Sequence, residues 1–329
     1  MSYTLPTQSP FTHSVGICFH TNMCNWYVSP TVKYSRENQI KYSQDRLEVI
    51  AKTFKLIRVY SLFVPGFQPT GDLDPCTAAL VSVIKANSDV EGMISTADDT
   101  KTLFQTQANV DAWVAKLKSS FGSSVSQIKT ILIGNEINAN GFTVAELNTI
   151  YANFKANADF MALKIPLSVS FSNLPVQSGN TLSDNLVAAV SSNWDASWNG
   201  GNSFVFIDPY PDASGIGTPA GVFDWQSKVQ TYYAAKHPKL QIFIAETGAE
   251  GDATDQTSVP IISGILSQLN DQYTTAKTSV PTFLFEAVDE QLKPGTPVQT
   301  NMGVYKDAAA ADGSTISIKS GITVPSWVS

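Results

Sequence analysis

Residues 128–136 read IKTILIGNE and residues 240–246 read LQIFIAE, two apolar runs that each end on a glutamate. Runs of this length, rich in β-branched residues, are typical of strands buried on both faces of a parallel sheet. Eight such runs start near Val15, Lys55, Val90, Lys129, Ile165, Ser203, Leu240 and Pro281. Successive starting points lie 35 to 41 residues apart, a spacing that indicates one structural unit repeated eight times.

Amphipathic segments with helix start signals separate these runs. Asp74 and Pro75 read as an N-cap and a first-turn proline, and Thr143 with Glu146 matches a capping box. Helices are predicted over 36–54, from 75, over 109–121, from 143, and over 181–192, 222–237 and 258–273. The repeated βα unit predicts an α/β fold, the (β/α)8 or TIM barrel, with a doubly wound open sheet as the alternative. We expect a reduced or irregular eighth helix, because a mixed sequence follows the last run.

Length and composition fit one such domain and exclude several classes of partner. A barrel of about 250 residues fills most of a chain of 329. We expect a single catalytic domain over 1–329, with an N-terminal extension over 1–13 and a C-terminal tail over 308–329 that packs on the barrel. The net charge of −7 argues against binding to nucleic acid or to an anionic membrane surface. No apolar run reaches the 18 or so residues that span a bilayer.

The rarer residues point away from metal and redox chemistry. Cys18, Cys24 and Cys76 form no CxxC motif; a disulfide between Cys24 and Cys76 and three separate thiols are both compatible with the sequence. The three histidines include no i, i+4 pair, so an HExxH zinc site is absent. We therefore expect no metal and no cofactor. Residues 1–16 lack the basic and apolar regions of a signal peptide, and none is expected in this sequence.

Two acidic residues stand where a barrel places its chemistry, at the carboxyl ends of strands. Glu136 follows the fourth strand and Glu246 ends the seventh. One strand-end glutamate alone reads as an exposed or ion-paired rim residue. Two of them on strands that face each other across the barrel mouth are able to approach closely. Retaining glycosidases need two carboxyl groups about 5 Å apart, one to protonate the leaving oxygen and one to attack the anomeric carbon.

The neighbouring residues suit this division of labour. Asn135 is placed to hydrogen-bond a sugar 2-hydroxyl. Arg58 and Tyr210 are placed to donate to Glu246 and keep it ionised, as a nucleophile requires. Glu136 needs a raised pKa to act as a general acid, from burial and from the negative charge of Glu246. The structural alternatives are a rim salt bridge for Arg58 and a core-covering role for Tyr210.

Five motifs in order carry a family resemblance. RVY over 58–60, GNE over 134–136, PYP over 209–211, AETG over 245–248 and FEAVDEQLK over 285–293 together resemble glycoside hydrolase family 17, across residues 15–307. The last motif is closest to the fungal and bacterial branch. Members are (β/α)8 barrels of the clan whose acid/base follows an asparagine, and most act on β-1,3-glucans as retaining hydrolases or glucanosyltransferases.

The resemblance implies roles for individual positions. Glu136 matches the acid/base, Glu246 the nucleophile and Asn135 the 2-hydroxyl contact. It also implies substrate contacts near subsite −1 for Tyr60 and Tyr210, and a strand-eight carboxylate at the sugar for Glu286. Ala249 departs from the family, since many members have tryptophan there. Aromatic residues in expected strand-to-helix loops or adjacent segments are candidate glycan-stacking residues: Trp26, Tyr27, Phe67, Phe142, Trp194 and Trp198.

These observations lead to one main hypothesis and several alternatives. The main hypothesis is a retaining β-1,3-glucan-active glycoside hydrolase that works by double displacement, with transglycosylation as a second outcome. The alternatives are a β-1,3-glucanosyltransferase, a related activity on β-mannan, xylan or β-1,6-glucan, and a non-catalytic glycan-binding barrel. We expect a monomer whose partner is a β-glucan polysaccharide or oligosaccharide. An extracellular location, at a cell wall, is inferred from the polymeric substrate alone.

Overall fold

The eight predicted runs form a closed parallel barrel. The computed structural model describes residues 3–20, 35–63, 71–96, 100–172, 174, 181–211, 216–249, 255–289, 301–306 and 316–329. The strands are β1 Val15–Cys18, β2 Leu56–Val59, β3 Glu91–Ser95, β4 Ile128–Ile133, β5 Leu167–Phe171, β6 Phe204–Ile207, β7 Gln241–Thr247 and β8 Thr282–Leu284. Each strand pairs with the next, and β8 pairs with β1. This closure confirms the (β/α)8 barrel and excludes the open sheet.

Helices connect the strands, as predicted. They are α1 Arg36–Ile50, α2 Pro75–Ala86, α3 Thr100–Leu103, α4 Gln107–Phe121, α5 Val144–Ala156, α6 Ala158–Leu163, α7 Thr181–Asn193, α8 Pro219–Ala234 and α9 Asp255–Ala276. The Asp74 carboxylate accepts from the backbone N–H of Cys76 at 2.8 Å, and Thr143 and Glu146 form the capping box. Both cap predictions are confirmed. No helix in the described part of the chain has the length and hydropathy needed to cross a membrane.

The last βα unit departs from the repeat. Among the described residues after β8, the regular elements are β9 Tyr305–Lys306, β10 Ser317–Ile318 and a 3-10 turn over Ser326–Val328. The Trp327 ring stacks on Tyr273 of α9 at 4.1 Å between centroids, and Val328 is buried. The C-terminal residues therefore pack against α9, and a full eighth helix is missing from the described residues, as expected.

Alternation along the strands divides the core into two layers. On β6, Phe204 and Phe206 face the barrel interior, where both rings lie edge-on or tilted against Phe243 of β7. Val205 and Ile207 belong to the outer layer between the strands and the helices. Successive side chains of a strand point to opposite faces, so an inward-facing series continues past the carboxyl end of each strand into the barrel mouth.

The N-terminal extension closes the opposite, amino end of the barrel. Phe11 packs edge-on against Phe206, Phe243 and Phe283, with ring centroids 5.7 to 6.4 Å apart. The Glu91 carboxylate, at the start of β3, accepts from the backbone N–H of Thr12 at 2.9 Å. The extension is thus part of the interior core.

Phe11→Ala is expected to lower the free energy of unfolding by about 3–5 kcal/mol, because it removes a buried ring and leaves a cavity. Chemical denaturation followed by tryptophan fluorescence measures the change. Leu182→Ala is the control, since Leu182 is 45% exposed and surface truncations usually stay within about 0.5 kcal/mol. Equal stability of the two variants would show that the extension is not part of the core.

A buried ion pair ties the C-terminal residues to the segment after β8. Lys319 Nζ lies 2.7 Å from Asp289 Oδ1, and both side chains are almost fully buried. The same ammonium donates to the carbonyl of Asn301, while Asp289 Oδ1 also accepts from the backbone N–H of Gly303. The pair therefore anchors the chain just beyond the carboxyl end of β8.

Lys319→Met is expected to lower the free energy of unfolding by about 3–5 kcal/mol, because it removes one partner of a buried ion pair and leaves Asp289 without the Lys319 ammonium. Thermal and denaturant unfolding measure the loss. Lys118→Met is the matched control: Lys118 pairs with Asp159 on the surface, where ion pairs contribute little. A Lys319→Met protein as stable as the control would contradict a structural role for the buried pair.

Candidate active site

The end of β4 turns sharply and sets the position of Glu136. Gly134 has a φ of 67°, and an added Cβ there would lie 3.0 Å from the Phe142 ring. Glu136 itself has a φ of 47°, a left-handed conformation that is uncommon outside glycine and that clusters at functional sites. Its backbone N–H donates to Ser170 Oγ at 3.0 Å. The turn leaves Glu136 half-buried beyond the end of the strand.

A β-bulge in β7 sets the position of Glu246. Phe243 and Ala245 face the barrel interior, so regular alternation would direct Glu246 outward to the helices. Ile244 pairs with Thr282, however, and Thr247 pairs with Leu284. Three steps along β7 therefore match two steps along β8, and the extra residue re-aims the side chain, as bulges do. This is why Glu246 lies inside the barrel mouth.

Three donors converge on the Glu246 carboxylate. Tyr60 donates to Oε1 at 2.7 Å, Tyr210 donates to Oε2 at 2.9 Å, and Arg58 Nη1 lies 3.0 Å from Oε1. Glu246 is only 6% exposed. Charge-assisted hydrogen bonds of this kind stabilise a carboxylate and fix its orientation. Tyr210 is therefore a direct partner of Glu246, and its role is not limited to covering the core.

Arg58 connects the two glutamates through Asn135. Its side chain is fully buried below Glu246, so it is not a rim residue. Nε donates to Ser95 Oγ at 2.8 Å, Nη1 to the carbonyl of Ala245 at 2.8 Å, and Nη2 to Asn135 Oδ1 at 2.7 Å. Arg58 thus joins β2, β3 and β7 to Asn135 in the turn after β4, and Glu136 is the next residue in the chain.

The negative charges of both glutamates act on one further carboxyl group of the site, that of Asp208. Burial raises the pKa of the Asp208 carboxyl well above its ordinary value; the negative charge of Glu246 adds to the rise, Arg58 opposes it, and Glu136 adds to it. Burial also raises the pKa values of the Tyr60 and Tyr210 phenols. Both phenols therefore stay neutral donors near neutral pH.

The end of β8 contributes an aromatic ring and another carboxyl group. Phe285 lies edge-on to Tyr60 and to Tyr210, with centroids 6.3 and 6.2 Å away, so it supports both phenols that donate to Glu246. Glu286 is fully buried, and its backbone carbonyl accepts from the N–H of Val304 at 2.9 Å. Its contact with a bound sugar stays a prediction.

Three of the candidate stacking residues lie elsewhere than expected. Phe142 is 1% exposed and packs behind Gly134, while Trp198 is fully buried. Trp194 and Trp198 connect α7 to β6, at the amino end of the barrel, where Trp194 packs on Phe204 at 4.9 Å. The stacking assignments of these three residues are therefore corrected to core packing. Trp26, Tyr27 and Phe67 lie outside the described residues, as does Cys24 of the suggested disulfide.

Several contributors to the site had no role assigned from sequence. Ser95, Ser170 and Phe285 orient Arg58, Asn135 and the two tyrosines respectively. Their signal in the sequence is position, because each lies at or just beyond the carboxyl end of a predicted strand. Small hydroxyl residues are too common at strand ends for the residue type alone to single them out.

The comparisons with known proteins bear on the fold. No protein-family profile and no curated protein matches the sequence. Similar solved structures include CJP38, described as a β-1,3-glucanase and allergen of Cryptomeria japonica pollen, at TM-score 0.63 and 15% identity over 94% of this chain and 98% of that one. A plant β-glucan endohydrolase matches with a TM-score of 0.58 and 13% identity, over 88% of this chain and 96% of that one. A β-glucosidase from Exiguobacterium marinum matches with a TM-score of 0.55 and 10% identity, over 91% of this chain and 95% of that one. At these identities the similarity establishes the barrel fold.

Proposed function

We propose that this protein is a retaining glycoside hydrolase of family 17 that acts on β-1,3-glucans. The observation that carries the proposal is the arrangement around Glu246, a buried carboxylate held by Arg58, Tyr60 and Tyr210 and linked through Asn135 to the turn that bears Glu136. The ordered sequence motifs and the names of the structural neighbours support the same substrate class. An extracellular location follows from a polymeric substrate.

In the first step Glu246 attacks the anomeric carbon while Glu136 protonates the glycosidic oxygen. The bond from C1 to that oxygen breaks, a bond from C1 to a Glu246 oxygen forms, and the proton of Glu136 leaves with the aglycone. Tyr60, Tyr210 and Arg58 hold the carboxylate in one orientation, so that little rearrangement precedes attack.

Asn135 is oriented for the sugar 2-hydroxyl by its own partners. Its Oδ1 accepts from Arg58 at 2.7 Å and from Ser170 Oγ at 3.1 Å. The amide NH2 group is therefore the end of the side chain left to donate. We infer that this group donates to the 2-hydroxyl, an interaction that strengthens as the transition state forms.

In the second step Glu136 acts as a base and takes a proton from the acceptor, whose oxygen displaces Glu246 from C1. Water as acceptor gives hydrolysis, and a sugar hydroxyl gives a longer oligosaccharide. The same residues serve both outcomes, so the ratio of hydrolysis to transglycosylation depends on which acceptor occupies the barrel mouth. Neither step needs a metal or an organic cofactor.

Incubation with laminari-oligosaccharides tests the proposal. We expect shorter products that first appear as the β-anomer in proton NMR, and products longer than the substrate if a sugar serves as acceptor. A parallel panel of β-1,6-glucan, xylan and β-mannan tests the linkage. First release of the α-anomer would contradict retention, and turnover of another polymer in preference to laminarin would contradict the β-1,3 assignment.

A further inference from the structure

Asp208 is a buried carboxyl group to which the proposed reaction gives no role. It follows β6 and continues the inward series of Phe204 and Phe206, and its backbone N–H donates to the carbonyl of Phe171 at 3.0 Å. The residue is 3% exposed. Within the described part of the chain, no side chain donates a hydrogen bond to either oxygen of its carboxyl group, and the backbone N–H of Glu246 is the donor that faces it. A buried charge with so few donors is strongly disfavoured.

Glu246 holds the donors that Asp208 lacks. Tyr60, Tyr210 and Arg58 all direct hydrogen atoms at Glu246, and the other hydrogen bonds of Arg58 go to Ser95, Asn135 and the Ala245 carbonyl. Two ionised carboxylates beside one guanidinium would leave a net negative charge in a buried site. The lower-energy arrangement leaves the charge on the carboxylate that has three side-chain donors and puts the proton on the carboxyl group that has no side-chain donor.

We propose that Asp208 and Glu246 form a carboxyl pair that carries a single proton, held on Asp208, so that Glu246 stays ionised as the nucleophile. Asp208 is a positioning residue in this scheme, because its oxygens are too deeply buried to touch a substrate. The assignment rests on the proposed function for the identity of the nucleophile. The distribution of the proton follows from the side-chain donors that each carboxyl group receives.

The titratable groups around Asp208 come from three strands, from the turn after β4 and from its own segment: Cys18, Arg58, Glu246, Glu136 and Tyr210. Burial of Asp208 and the two negative charges raise its pKa, while Arg58 and a hydrogen bond from the backbone N–H of Glu246 lower it. Once the charge of Glu246 is removed, Asp208 is the remaining carboxyl group among these that interacts with Arg58. The pair is therefore reciprocal: neutralising Glu246 should transfer the charge to Asp208.

Infrared difference spectroscopy of protein labelled with 13C at the aspartate side-chain carboxyl tests the pair without substrate. At neutral pH, wild type minus Asp208→Asn should show the C=O band of one protonated acid per chain. Asp184→Asn is the matched control and should remove only a carboxylate band, because hydrogen bonds from Lys236 and two tyrosines lower the pKa of Asp184. Labelled Glu246→Gln protein should lose the acid band and gain one carboxylate band.

A carboxylate band in the wild-type difference spectrum would overturn the single-proton pair, and so would an acid band that survives in Glu246→Gln. If Asp208→Asn does not fold, the spectra of wild type and Glu246→Gln alone decide, since the acid band must be lost between them. These spectra are independent of turnover. An inactive wild type with the expected bands would contradict the glycosidase proposal only, and an active one without them would contradict the pair only.

Discussion

Glu246→Gln lowers kcat/KM for laminari-oligosaccharides by at least about 10³-fold while the protein stays folded, if Glu246 is the nucleophile. Glutamine has nearly the same shape and accepts one of the two tyrosine hydrogen bonds at its carbonyl, while its NH2 group faces the other tyrosine, but it forms no covalent bond to the anomeric carbon. A 10³-fold loss corresponds to about 4 kcal/mol of transition-state stabilisation, and removal of a catalytic nucleophile often exceeds that. Reducing-sugar release under subsaturating substrate measures the change.

Glu48→Gln is the matched control for this experiment. Glu48 lies on the exposed face of α1, where it accepts from Gln44 at 2.8 Å, and its neutralisation should leave the activity at the wild-type level. A Glu246→Gln protein that keeps more than about a tenth of wild-type kcat/KM would show that another group attacks the sugar. Unchanged glycan binding with no turnover in wild type would instead favour a binding barrel.

Glu136→Ala separates the acid from the nucleophile through its dependence on the leaving group. General acid catalysis contributes about 10²–10⁴-fold, so oligosaccharide cleavage should fall by that factor. A dinitrophenyl β-glycoside leaves as a stable anion and needs no proton. We expect the initial burst of dinitrophenol from this substrate to be retained within about tenfold, followed by slow turnover, because the base of the second step is also missing.

Azide supplies a nucleophile that needs no base, and it should restore the second step in Glu136→Ala and give a β-glycosyl azide. Equal losses on the oligosaccharide and on the dinitrophenyl glycoside would contradict the acid/base role of Glu136. Loss of the burst together with formation of an α-glycosyl azide would show that Glu136 is the nucleophile and not the acid/base, since the α-product forms when azide replaces the nucleophile.

The barrel and its acidic strand ends were predictable because they depend on local, periodic signals. Buried strands must be apolar, and a barrel of eight units places the residues after them in one mouth. Glu136 and Glu246 were therefore visible as two acids that interrupt apolar runs. The bulge that turns Glu246 inward was not, because it appears only in the pairing of β7 with β8.

The aromatic residues show where sequence reasoning fails. In the sequence, a core tryptophan such as Trp198 cannot be distinguished from an aromatic residue that stacks on a sugar. Only its position in the three-dimensional structure separates the two. Phe11 falls in a segment without periodicity, yet it completes the interior aromatic cluster. Asp208 ends an apolar strand as the two glutamates do, and its role depends on which carboxylate receives the donors of Tyr60, Tyr210 and Arg58.

The covalent intermediate on Glu246 is the central claim, and a trapping experiment tests it most directly. A 2-deoxy-2-fluoro-β-laminaribiosyl fluoride destabilises the charge of both transition states, while its good leaving group lets the first step proceed, so the ester accumulates. Peptide mass spectrometry of the inactivated protein should find one sugar per chain, on the peptide that contains Glu246. A sugar attached to any other carboxylate, or unlabelled protein that still hydrolyses laminari-oligosaccharides, would contradict the account.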